Sequence, residues 1–188
     1  MGASKCSWVF QIGFIGVLSL LSFVALADSA EEYDKANKLI STGGMLDGLV
    51  IMRKLALEDY APAQAVLGEF LDGAEESEEA VGWYMMAANQ GNAAGEFGLG
   101  SMYLKGLGVE KSPEKALYWI TRAFDKGYLN AIRVMASAYR VGPTKSGLPV
   151  EIDVAMAKKL AEKIKIEDDV AKKLADEAVL GKSKEVKK

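Results

Sequence analysis

The chain repeats itself, and the repeat limits what it can become. Leu67-Gly68 recurs as Leu99-Gly100, 32 residues on. Ala80, Trp83, Ala87 and Gly91 recur as Ala116, Trp119, Ala123 and Gly127, 36 residues on. The register extends in both directions. Ala131, Ala136, Tyr139 and Gly142 follow Gly95, Gly100, Tyr103 and Gly106 by 36 residues. Ala36, Leu39, Ile51 and Asp59 precede Gly68, Leu71, Trp83 and Gly91 by 32. A unit of this size cannot bury its own apolar face, so its copies must stack on one another. The spacing therefore predicts a helical solenoid.

Each copy divides into two amphipathic helices. In the clearest copy, Gly95, Leu99, Tyr103 and Gly106 form the apolar stripe of the first helix, with Gly100 beside it. The small residues allow a neighbouring backbone to approach. Ala116, Trp119, Ile120 and Ala123 form the stripe of the second helix. Ser112 suits an N-cap and Pro113 the first helical position, where its missing N–H costs nothing. Gly91 and Gly127 are natural C-terminal stops. Trp83, Trp119 and Tyr103 are expected to dominate the core between repeats, because aromatic side chains bury the most area.

The copies are not uniform. The interval from the small residue of the first helix to the large residue of the second is 15 for Ala36 to Ile51 and for Gly68 to Trp83. It is 19 for Gly100 to Trp119, and 24 if Leu160 fills the slot after Ala136. Only Gly106-Leu-Gly108-Val109 is a full glycine turn. The last loop, residues 141–153, contains Pro143 and Gly147 and reads as an irregular excursion. The expected fold is all-α, about four helix pairs and a C-terminal capping helix. A degenerate pair occupies 28–62, the repeats 63–166, the cap 167–181 and a disordered tail 182–188.

Residues 1–27 are expected to be a signal peptide. Lys5 precedes an apolar run from Ile12 to Leu26, too short to span a bilayer comfortably. Ala25-Leu26-Ala27 supplies a small-residue cleavage site. The remainder would be periplasmic or extracellular, with no stable membrane insertion. A retained membrane anchor is the alternative.

Composition removes several chemistries. The chain has no histidine, and its one cysteine is Cys6. Metal sites built on His or Cys are excluded after residue 27, as are Ser-His-Asp and Cys-His catalysis. Charge is divided. Residues 28–110 hold 15 acids and 5 bases, a net of −10, while 111–188 hold 17 bases and 11 acids, a net of +6. The basic half is rich in lysine interleaved with acids, so it is no nucleic-acid footprint. No cofactor is expected.

One copy carries a recognisable pattern: Leu99-Gly100, Tyr103, Gly106, Gly108-Val109, Lys115-Ala116, Trp119, Ala123 and Gly127. It resembles the Sel1-like repeat, a relative of the tetratricopeptide repeat. The match is specific over Gly95 to Ala131 and partial on either side. The resemblance implies an α/α right-handed superhelix that binds other proteins on its concave face. Many bacterial members are exported adaptors in envelope assembly, signalling or host contact.

Three constellations have residue types that serve chemistry elsewhere. Ser112-x-x-Lys115 has the spacing of a serine nucleophile with a lysine base. No strand could build that enzyme's sheet here, so a capping serine and a solvated lysine are the plainer reading. Glu75, Glu76, Glu78 and Glu79 could hold a divalent cation, but acids also favour a helix start. Met85 and Met86 read first as core, with an adaptable binding surface as the alternative.

The concave face is the better candidate. On the first helices, the face away from the packing stripe falls at Phe97, Ser101 and Leu104. Its equivalents are Arg133, Ser137 and Arg140 downstream, and Ala65, Glu69 and Asp72 upstream. This row predicts a groove for a segment of a protein partner. The chain thus reads as an exported, non-enzymatic adaptor with no catalytic or metal site. A secreted enzyme or accessory subunit with hydrolase-like activity is the alternative.

Overall fold

Left-handed backbone recurs at Gly43, Asp59, Glu75 and Gly91, once every 16 residues. In each case that residue's N–H reaches the carbonyl three residues back, and the next N–H reaches the carbonyl five back. Gly91 thus bonds Ala88 at 2.9 Å, and Asn92 bonds Ala87 at 3.0 Å. This is the Schellman closure, which satisfies carbonyls that a helix end would otherwise leave bare. Gly127 and Tyr128 close a later helix in the same way on Phe124 and Ala123. The chain is thus punctuated into short helices of equal length, each turned back on the last.

The computed structural model describes residues 27–165 and 168–169. Helix α1 covers residues 27–41. Then follow six helices of 13 residues each: α2 Met45–Leu57, α3 Ala61–Gly73, α4 Ser77–Asn89, α5 Ala93–Lys105, α6 Pro113–Asp125 and α7 Leu129–Val141. The single turn α8 Pro143–Ser146 follows, and α9 covers 154–165. Among the described residues there is no strand. The molecule is an all-α solenoid. Each helix packs on the next, and α3 also touches α5 directly. The first helices of the pairs therefore form one layer and the second helices the other.

Small residues set the spacing between layers. A Cβ on Gly95 would lie 2.5 Å from the Ala87 Cβ, and one on Gly100 would lie 2.7 Å from Ile120 Cγ1 and 3.1 Å from the Ile120 nitrogen. The close approach expected at these two glycines is therefore real. Gly108 combines a φ of +65° with the same crowding. Its Cβ would meet the Ser77 carbonyl oxygen at 2.3 Å, so the α5–α6 loop lies on the start of α4.

The core differs from expectation in its chemistry. Its largest fully buried apolar side chains are Met52, Leu55, Leu99, Met102, Ile120, Ile132 and Leu148. Leu67, Ala116 and Ala123 are buried as expected. Trp83 is nearly buried, but Trp119 and Tyr103 are only partly so. Trp83 joins the buried cluster of α1, α2 and α3, whereas Trp119 packs at the edge of the α4–α5 cluster with Arg122 over its ring, 5.3 Å from the centroid. Each fully buried aliphatic side chain contributes about 1.5–3 kcal/mol. Met85 and Met86 are not core; they are 39% and 42% exposed on the outer layer.

The last loop is not a projecting excursion. It forms α8 and then turns inward, burying Leu148 and Val150 against α6 and α7. Leu160 of α9 fills the slot expected for it. The putting-away of Leu148 and Val150 needs the turn at Gly142 and Gly147, both near φ +74°. The apolar run Ile12–Leu26 and the stretch 170–188 lie outside the described residues. Of the expected cap, residues 168 and 169 are described, and they are helical.

Candidate partner-binding groove

Helix register decides what the inner layer presents. On α3, Ala65, Glu69 and Asp72 recur at intervals of four and three, so they share one face. On α5, Phe97 and Ser101 take the equivalent positions. These five line a groove of about 400 Å³. Tyr33 of α1, Lys105 of α5 and Tyr128 and Asn130 at the start of α7 complete its walls. Phe97 leans on Tyr128, with ring centroids 5.4 Å apart. Ser101 turns its hydroxyl back to donate to the Phe97 carbonyl at 3.0 Å.

The floor is Tyr84, which comes from α4 in the other layer. Its ring passes between α3 and α5 because two positions lack a side chain. A Cβ on Gly68 would lie 2.7 Å from the ring, and one on Gly98 would lie 2.2 Å from it. Burial raises the Tyr84 pKa well above the ordinary phenol value, and the charges of Asp72 and Glu69 raise it further. Tyr128 is shifted upward too, again chiefly by burial. Both groups are neutral hydroxyls at physiological pH.

The remaining residues of the expected row stand elsewhere. Leu104 packs into the core, with its Cδ1 3.3 Å from where a Gly147 Cβ would be. Arg133, Ser137 and Arg140 line a separate hollow of about 350 Å³ between α7 and α9, beside Val154, Lys158 and Ile164. Arg133 Nη2 donates to Asp168 Oδ1 at 2.6 Å. The row is thus two surfaces, because α9 folds back beside α7.

Other constellations resolve simply. Ser112 Oγ accepts from the Lys115 N–H at 3.3 Å, as an N-cap does. The Lys115 ammonium lies over the Tyr103 ring, 5.1 Å from its centroid, rather than at the serine. Glu75 to Glu79 border an open hollow facing Gly108. Among the described residues, no group of three acids could hold a metal ion.

Residue-by-residue inspection of sequence alone overlooks Tyr84 as a groove residue, and it overlooks Glu96 altogether. Glu96 is fully buried on α5. Its Oε1 accepts from Arg122 Nε and from Lys126 Nζ, each at 2.7 Å. Among the described residues, its Oε2 has no hydrogen-bond partner. The available signal was register: Gln64, also buried, stands 32 residues earlier, and Glu32 a further 32.

Equal helix pairs, glycine-set layer spacing and a groove on one layer define an α-helical repeat solenoid, a class that presents an extended binding surface. The repeat is the Sel1 repeat, carried twice, over residues 61–92 and 93–128. Sel1 repeats mediate protein–protein interaction. The fold is shared with a Sel1 repeat protein from Oxalobacter formigenes, at TM-score 0.62 and 23% identity over 74% of this chain and 58% of that one. It is shared also with c5321, a protective antigen present in uropathogenic Escherichia coli strains displaying an SLR fold. There the TM-score is 0.58 and the identity 24%, over 77% of this chain and 33% of that one. The chain thus spans less than two thirds of either structure. No curated protein matches it.

Proposed function

We propose that this chain is an exported, non-enzymatic adaptor that holds a segment of another protein in the groove of its inner layer. The observation that carries the reading is the groove itself. It runs across three consecutive first helices, α1, α3 and α5, and ends at α7. A surface shared among stacked units can receive an extended or helical segment, and rigid helices hold it ready. Export rests on Lys5, the apolar run Ile12–Leu26 and the small residues Ala25 and Ala27. The compartment would be the periplasm or the extracellular space, in envelope assembly, secretion or signalling.

Site-specific photocrosslinking tests the groove. A photoreactive residue at Ser101 is expected to yield a discrete protein adduct in native cells. The same residue at Tyr118, which is 55% exposed on the outer layer, should not. Adducts from position 118 alone would place binding on the other face. Mass spectrometry of the exported chain's N-terminus tests cleavage after Ala27.

A further inference from the structure

We infer that the groove receives a basic segment, with a lysine or arginine side chain seated against Glu69 and Asp72 above Tyr84. The inference rests on the groove being the binding surface proposed above, and it adds the chemistry of the occupant.

Glu69 and Asp72 stand three residues apart on α3 and line the same wall. Among the described residues, no ion pair or hydrogen bond engages either carboxylate. Among the described residues, the acids that pair with a base are Glu32, Glu96 and Asp168, and none of them lines the groove. The facing α5 wall contributes one cation, Lys105, so two carboxylates oppose one ammonium. The groove therefore carries net negative charge, and the surplus lies on the α3 side.

Tyr84 is a second and independent observation. The residue is 94% buried, since its relative exposure is 6%. Its hydroxyl is a polar atom at the groove floor with no hydrogen-bond partner among the described residues. Two glycines, Gly68 and Gly98, make the passage that brings it there. The ring is buried while the hydroxyl faces the groove unpaired, so it offers a hydrogen bond to whatever binds above it. It stays protonated and can donate to a partner's backbone carbonyl. The rings of Tyr33, Phe97 and Tyr128 around it add faces that favour a cation. The net charge of −10 over residues 28–110 would draw a basic segment toward this end of the molecule.

The test is a random-peptide library displayed on phage and selected on the full chain. Enriched peptides are expected to share a lysine or arginine at one position. Synthesised, they should bind the Glu69→Gln, Asp72→Asn double variant about tenfold more weakly, the loss expected for unpaired charge partners. Tyr84→Phe should weaken them by a smaller factor, and Lys105→Ala should tighten them. Circular dichroism melts confirm that each variant is folded. Peptides that crosslink at position 101 but lack a basic residue, and ignore the double variant, overturn the basic-segment inference and leave the groove as the binding surface. A library that yields no peptide crosslinking at position 101 overturns both.

Discussion

Lys126 Nζ lies 2.7 Å from Glu96 Oε1 and 2.6 Å from the Gly91 carbonyl oxygen. The same join occurs one repeat earlier with an amide pair in place of the ion pair. Gln90 Nε2 lies 2.8 Å from Gln64 Oε1 and 3.1 Å from Asp59 Oδ1. In each case the end of a second helix is tied to the start of its own first helix and to the turn before it. In the first pair, Lys54 and Glu32 meet at 2.8 Å, at the positions of Arg122 and Glu96. Repeat register, rather than sequence identity, carries this join.

If the join is modular, its ion pair can be rewritten as the upstream amide pair. Lys126→Gln alone is expected to cost about 1–2 kcal/mol, because it takes a charge-assisted bond from a buried carboxylate. Adding Glu96→Gln should recover much of that loss by restoring the Gln–Gln pairing seen upstream. Urea melts of the two single variants and the double variant measure the coupling. Strictly additive losses would mean the join does not transfer.

Layer spacing predicts severe effects at two glycines. Gly100→Ala would push a methyl group against Ile120, including its backbone nitrogen at 3.1 Å. The expected cost is about 1–3 kcal/mol, as for overpacking generally. Gly98→Ala would place its Cβ on the Tyr84 ring and expel that side chain from the groove floor. Tyrosine fluorescence together with thermal melting would register both; a melting temperature unchanged at Gly100→Ala contradicts the spacing argument.

Glu75 holds a φ of +64° in the exposed α3–α4 turn, where its neighbours in the 16-residue series include glycines. A side chain in left-handed backbone costs about 1–2 kcal/mol. Glu75→Gly should therefore raise stability, by about 1 kcal/mol once the freer unfolded chain is counted. Asp59, at φ +67°, should not respond alike. Its Oδ1 accepts from Gln64 and Gln90, so Asp59→Gly relieves strain but loses two bonds. Paired chemical-denaturation curves separate the two cases.

Alkaline stability should depend on Tyr84. Burial raises its folded-state pKa above the unfolded value, so its contribution is complete below about pH 10 and declines as pH rises beyond it. Tyr60 and Tyr128 are shifted in the same direction and add to the decline. Tyr84→Phe should flatten the alkaline limb of a stability–pH curve measured by urea unfolding between about pH 8 and 11.5. A limb of unchanged slope would exclude Tyr84 as its source.

The sequence by itself determined the repeat, the pairing of helices, the Ser112 cap, the stops at Gly91 and Gly127, and the close approach at Gly95 and Gly100. These are local or periodic features, and a stacked unit writes them into every copy. It also placed Glu69, Asp72, Phe97 and Ser101 on one surface, because helical register fixes which residues share a face. The tertiary structure decided the rest. It split Arg133, Ser137 and Arg140 from that surface, because α9 folds back beside α7 after a loop whose Leu148 and Val150 are buried. It sent Tyr84 through the inner layer between two glycines on different helices, a contact no single-helix pattern contains. It made Trp119 an edge residue while burying Trp83 at the equivalent repeat position. Which residues meet across layers depends on how closely those layers approach, and the chain sets that distance only when it is stacked.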